Sequence, residues 1–203
     1  MNPVVRYQLL DKANQVFRSV GVGLVHEEHL AAALDLSLPA FRSEFGCKAE
    51  LIRVVTEHNL QRQRREHAEL FGNLATPVER LLALLHHSQH ELRRAPHHDY
   101  HVLRDKYPQA WELLQQHLVA YSRPLLTALL QDGVQAGQLR ADLDAPFVAH
   151  VMLAQFSLVL DETHFPPDRA NLAEVYRNIF FYYVRGLCTE EGARVAAAHL
   201  ARM

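Results

Sequence analysis

The sequence predicts an all-α protein: an N-terminal module of three short helices, joined by a connecting helix to a larger C-terminal helical bundle. Apolar residues recur at three- and four-residue spacing almost throughout, which is the helical period, and no stretch alternates as a half-buried strand would. The breaks between apolar stripes, such as "GQLRADLDAP" and "HFPPDR", are rich in Gly, Pro and Asp, as loops are. With 203 residues, 49% of them hydrophobic and 22% charged, the chain can build a small domain fused to a larger one with a real core.

Each element has its own local justification. Leu9, Ala13, Val16, Phe17 and Val20 form one stripe, and Gly21 is placed to end that helix. A second short helix holds Leu30, Ala31 and Leu34. Ser37 is a good N-cap for a third, with Leu38, Phe41 and Phe45 turned inward and Pro39 tolerated in the first turn. A longer helix follows over about residues 48–70. After the break "GNLATPVER", Thr76, Pro77 and Glu79 read as a capping box opening a fifth helix, which "RRAPHHD" ends. Further helices are expected over 108–121, 124–136, 146–161 and 171–187. The domain boundary is expected at 50/51, giving a helix-turn-helix domain over 1–50 and a helical bundle over 51–203.

Charge and cysteine content narrow the function classes. The net charge is −2 and the pI about 6.7, so any nucleic-acid binding has to come from a local patch. Cys47 and Cys188 lie far apart and suggest neither a disulfide framework nor a zinc cluster. There is no signal-peptide h-region at the start and no apolar run of membrane-spanning length, so a cytoplasmic protein without membrane contact is expected.

Residues 9–51, "LLDKANQVFRSVGVGLVHEEHLAAALDLSLPAFRSEFGCKAEL", resemble the TetR family of bacterial transcriptional regulators without a gap. The resemblance is carried by Ala13, Phe17, Gly21, Leu30, Ala31, the turn Leu34-Asp35-Leu36-Ser37, Phe41, Phe45, Lys48 and Leu51. More loosely, "GQLRADLDAPFVAHVM" and "VYRNIFFYYVRGLCTEEG" resemble that family's ligand-binding and dimerising domain. The resemblance implies a homodimeric repressor-type regulator that binds double-stranded operator DNA and lets go when a small-molecule effector enters the second domain. Asp35 stands where the family prefers Gly, and Asp tolerates the left-handed conformation such a turn demands.

The resemblance places His26, Arg42, Ser43, Glu44 and Lys48 toward DNA. Their chemistry departs from the family pattern. Val25 and His26 stand where the family has Thr followed by Ser or Thr, which removes a helix cap and a phosphate donor. Arg42 replaces Tyr and could hold a phosphate or a guanine edge, while Glu44 replaces His and would accept from a cytosine amine or repel phosphate. Residues 1–56 hold six basic side chains (Arg6, Lys12, Arg18, Arg42, Lys48, Arg53) and six acidic ones (Asp11, Glu27, Glu28, Asp35, Glu44, Glu50), so the module is neutral. Counterion release supplies most ordinary DNA affinity, which makes this a thin footing. The rival reading is a dimeric sensor or partner-binding protein of the same fold that has lost specific DNA binding.

Fourteen histidines invite two chemistries. His86 and His90 share a helix face, and a transition-metal site could be built from them, His101 and a carboxylate. The sequence shows neither Cys nor a carboxylate at metal-site spacing, so histidines on the surface or in a polar pocket are the plainer reading, and no metal or other cofactor is assigned. A histidine-based pH response is a further option. Cys47, at a helix N-terminus beside Lys48, is the best nucleophile candidate, yet no phosphate loop, nucleophile elbow or zinc-protease motif accompanies it, and no enzyme activity is expected.

For the effector, the pocket candidates are His86, Tyr100, Trp111 and Gln155, polar or aromatic groups among apolar neighbours such as Leu103, Leu114, Met152 and Phe156. They suit a mostly apolar or aromatic ligand with one or two hydrogen-bonding groups. Phe147, Val151, Ala154 and Leu158, with Leu172, Val175, Tyr176, Ile179, Phe180, Tyr183 and Leu187, are more apolar surface than one side of a bundle needs, and a symmetric four-helix interface would bury the excess.

Overall fold

The computed structural model describes residues 2–94, 100–166 and 169–201. Their helices are α1 (Pro3–Val20), α2 (Glu27–Ala33), α3 (Leu38–Phe45), α4 (Lys48–Gly72), α5 (Pro77–Arg94), α6 (Tyr100–Lys106), α7 (Pro108–His117), α8 (Arg123–Gln135), α9 (Ala145–Val159), α10 (Leu172–Leu187) and α11 (Glu190–Leu200). Among the described residues the one β feature is an isolated bridge between Leu139 and Cys188. The fold is all-α, as the periodicity predicts.

The chain divides into two compact units, one of Met1–Gln63 with Arg94–Gln116 and the other of Arg64–Arg93 with His117–Met203. This partition differs from a single cut at 50/51: Leu51, Ile52 and Val55 of α4 and Ala110 of α7 are buried with the N-terminal core. The reason is geometric. A three-helix module has an open side, and the first turns of α4 together with α7 close it.

Local signals explain the first unit. Asn2 caps α1 by accepting from the Val4 N–H, and Gly21, at φ 94°, ends it. Leu9, Leu10, Ala13 and Phe17 face the core, while Val20 of the expected stripe is 42% exposed, because the stripe drifts round the helix by its last turn. Ser37 caps α3 by accepting from the Ala40 N–H at 3.3 Å. Phe41 and Phe45 are buried one turn apart, their rings 5.6 Å between centroids.

The second unit has its own core, from Val78, Leu81 and Leu85 of α5 through Leu130 and Met152 to Tyr176 and Phe180. The capping box at α5 is present: Glu79 N donates to Thr76 Oγ1 at 3.3 Å, and Thr76 N donates to the Glu79 carboxylate at 3.2 Å. Buried Gln138 joins three segments. Its side-chain oxygen accepts from the Val78 N–H at 3.2 Å, and its backbone carbonyl accepts from the Thr189 N–H at 3.0 Å.

Three elements depart from expectation. The break expected near residue 122 is instead a π-helical turn over Leu118–Ser122 that runs on into α8, with Pro124 just after it. Helix α6 lies in a stretch that carries no periodicity long enough to read. Helix α11 opens on Thr189, whose hydroxyl accepts from the Gly192 N–H, with Glu190 and Glu191 in its first turn.

Candidate nucleic-acid interface and interior polar groups

The turn between α2 and α3 is tight. Leu36 N donates back to Ala31 O at 2.9 Å, and Asp35 takes φ 57°. This is the left-handed conformation that Asp was expected to tolerate. Lys12 Nζ reaches the Asp35 carboxylate at 2.7 Å and tethers the turn to α1, and this bond holds the Asp35 carboxyl below its usual range.

With Phe41 and Phe45 inward, α3 leaves Arg42 and Ser43 exposed and Glu44 half-buried. Arg42 does not extend freely. Its Nε and Nη2 both donate to Glu27 Oε2 at 3.2 Å. The other oxygen, Glu27 Oε1, accepts from the Lys48 backbone N–H at 2.9 Å, at the very start of α4. That backbone bond is the main reason the Glu27 carboxyl sits below its ordinary range, with Arg42 adding to it against the opposing cost of burial. Lys48 Nζ donates to Val25 O at 2.6 Å and stands 5.7 Å from the centre of the Tyr107 ring.

Several other charges of the module are paired as well. Glu44 lies 3.6 Å from Arg6, and Arg53 holds Glu50 at 2.6 Å and Glu57 at 3.3 Å. The face is therefore neither a basic strip nor an acidic one. His26 is exposed at the N-cap of α2, makes no side-chain cap bond there, and packs edge-on against His29 at 6.0 Å. The structure thus brings Arg42 and Lys48 together through Glu27, sets His26 at the adjoining residue, and turns Glu44 toward Arg6. Sequence reasoning counted Glu27 only among the acidic side chains of the module; its reach to α3 and α4 has no signature along the chain.

The effector candidates separate. His86 and Gln155 belong to the second unit, whereas Tyr100 and Trp111, both half-buried, belong to the first. His86 packs edge-on against Phe181 at 4.7 Å, and its Nε2 has no hydrogen-bond partner among the described residues; neither has Gln155 Oε1. Burial, then His199 and Arg93, pushes the His86 pKa down.

A second polar cluster in the same unit escaped the sequence reading. His67 Nδ1 lies 3.1 Å from the Tyr121 hydroxyl on the π-helical turn, and the His87 ring packs edge-on against His67 at 5.1 Å. The His117 ring is 4.9 Å from Tyr121, whose opposite partner is the Arg64 guanidinium at 4.9 Å. His67 Nε2 and both ring nitrogens of His117 lack hydrogen-bond partners among the described residues, although these side chains are only 4% and 5% exposed. Burial, with His87 and His117 nearby, lowers the His67 pKa to about 4; burial, with Arg64 nearby, lowers that of His117 to about 4. Neutral imidazoles can donate and accept, so the interior offers hydrogen-bonding groups without fixed charge.

His97, His98 and Asp99 lie outside the described residues. Among the described residues no three His, Cys, Asp or Glu side chains come together as metal ligands. His90 and His101 are exposed. An open depression lined by Gln131, Val134, Leu143 and Pro146 holds none of the expected effector residues.

Comparison with solved structures defines the fold. A TetR-family regulator from Agrobacterium tumefaciens superposes with a TM-score of 0.73 at 16% identity, over 93% of this chain and 100% of that one. A TetR regulator from Chloroflexus aurantiacus gives 0.70 at 17% identity, over 91% and 96%. A transcriptional regulator from Saccharomonospora viridis in complex with choline gives 0.74 at 14% identity, over 92% and 98%. No family model matches the chain, and no curated protein does. The fold is that of the TetR family of bacterial transcriptional regulators, a helix-turn-helix module followed by a helical domain.

Proposed function

We propose that the protein is a ligand-responsive transcriptional regulator that binds operator DNA as a homodimer. The observation that carries this reading is the helix-turn-helix: the left-handed turn at Asp35 and the Ser37 cap set α3 so that Phe41 and Phe45 are buried while Arg42 and Ser43 face solvent. In this reading Arg42, Ser43 and Glu44 meet base edges or phosphates, and Lys48 and His26 flank them. The structural neighbours, described as transcriptional regulators, support it.

The effector is proposed to enter the second unit, where polar atoms of His86, Gln155, His67 and His117 without partners among the described residues call for hydrogen bonds. Tyr100 and Trp111 are proposed as effector contacts on the sequence argument alone. Self-association is proposed through the outward faces of α9 and α10. Phe147, Ala154 and Leu158 are exposed, and Val151, Val175, Ile179 and Tyr183 half-buried. Leu172, Tyr176, Phe180 and Leu187 belong instead to the core of the unit. Among the described residues no helix is long and apolar enough to cross a membrane.

One observation favours the second reading, a sensor or partner-binding protein without specific DNA binding: Arg6, Lys12, Arg42 and Arg53 are held by carboxylates of the first module and Lys48 by a backbone carbonyl. Binding of the purified protein to DNA flanking its own gene, across a salt series, separates the two. Specific binding that weakens with salt and is lost on Arg42→Ala supports the regulator. No specific complex at low salt supports the rival.

A further inference from the structure

The donors that a DNA phosphate would seek on this module already converge on one carboxylate of the chain itself. Arg42 supplies two N–H groups to Glu27 Oε2, and the first backbone N–H of α4 is spent on Glu27 Oε1. A carboxylate and a phosphate make the same demands: N–H donors, positive charge and a helix N-terminus. We propose that Glu27 is an internal phosphate surrogate that latches the Arg42 guanidinium and the first backbone N–H of α4, and so sets the affinity of the module for duplex DNA. This inference rests on the regulator reading and deepens it.

The latch spans three elements, since Glu27 opens α2, Arg42 lies on α3, and Lys48 opens α4. Both carboxylate oxygens are engaged, so a phosphate that is to take the Nε–Nη2 edge of Arg42 together with the Lys48 N–H has to replace Glu27 there. Until Glu27 leaves, its charge stands within hydrogen-bond distance of the groups a phosphate needs. Its side chain is 23% exposed, whereas that of Arg42 is 58% exposed, so the guanidinium can swing out once the carboxylate releases it. Lys48 is turned inward as well, its ammonium given to the Val25 carbonyl. Glu28, adjacent in sequence and exposed, carries the same charge outside this bond set and serves as the internal control.

The experiment compares wild type, Glu27→Gln and Glu28→Gln by fluorescence anisotropy on two short labelled duplexes, one taken from DNA flanking the gene and one of scrambled sequence. Both substitutions remove one negative charge, so a general electrostatic gain appears equally in each. The latch predicts that Glu27→Gln binds at least about tenfold tighter than Glu28→Gln at low salt, with a log–log salt slope steeper by about one, for the Arg42 guanidinium released. Arg42→Ala in the Glu27→Gln background removes that gain. Equal or weaker binding by Glu27→Gln overturns the latch.

If Glu27→Gln does not fold by circular dichroism, Glu27→Asp carries the test. It keeps the charge but is too short to span Arg42 and Lys48, and the latch predicts a smaller gain of the same sign. Specific binding of the flanking duplex by wild type, with no gain in either variant, overturns the latch and leaves the regulator reading in place. No duplex binding by any form overturns both.

Discussion

His67 Nδ1 stands 3.1 Å from the Tyr121 hydroxyl, and the two rings lie nearly parallel with centroids 5.9 Å apart. The tyrosine is carried by a π-helical turn, a rare and strained element often found where function requires it. The pairing leaves His67 Nε2 facing the interior without a partner among the described residues, next to an equally unpartnered His117.

Acid sensitivity follows from these two imidazoles. Both have pKa values lowered from 6.5 to about 4, so in the folded protein they stay neutral while the unfolded chain takes up protons below pH 6.5. The unfolded state then binds more protons, and stability falls as pH drops from 6.5 toward 4, by up to about 3 kcal/mol for each histidine. Urea midpoints measured across this range are expected to fall steadily, and His117→Asn is expected to reduce the slope by the share of one histidine. A midpoint flat from pH 6.5 to 4 would contradict the buried neutral assignment.

The Asp35 turn makes a two-sided prediction. Asp35→Gly relieves the left-handed backbone and gives up only an exposed, solvent-screened ion pair with Lys12, so the denaturant midpoint is expected to stay close to that of wild type. Asp35→Val puts a β-branched residue at φ 57° and is expected to cost about 2 kcal/mol. Denaturant midpoints of the two variants decide it.

Gly192 is a packing constraint. A methyl group built on it would run into the backbone carbonyl of Gln138, which cannot move aside as a flexible side chain could. Gly192→Ala is expected to destabilise by about 3 kcal/mol and to loosen α11 first. Hydrogen exchange over 190–200 gives the readout.

Association through α9 is testable at Phe147, which is 62% exposed, and Leu158, which is 40% exposed. Phe147→Glu combined with Leu158→Lys is expected to convert a dimer into a folded monomer in light scattering, with helical content unchanged. A dimer that persists would place the interface elsewhere.

The fold was legible where a signal is local. Ser37, Gly21 and the Thr76–Glu79 box each announce a helix end within three or four residues, and each is present as read. The left-handed residue in the α2–α3 turn was legible from the side chains that tolerate φ above zero. Sites were less legible because they depend on reach. Glu27 meets Lys48 across 21 positions, and His67 meets Tyr121 across 54, spacings that no helical period encodes. In the interior cluster His67 and His117 stand alone in the sequence and only His87 has a histidine beside it, so adjacency along the chain does not point to the cluster.

The junction at Gln138 has a kinetic meaning. One residue satisfies the N–H of Val78, sixty positions before it, and the N–H of Thr189, well beyond it toward the C-terminus. The first bond needs the start of α5 and the second the start of α11, so the corner is complete only when both helices have packed. This corner therefore closes late, and the Val78 and Thr189 amides are expected to exchange with solvent only when the whole unit opens, marking its slowest protons.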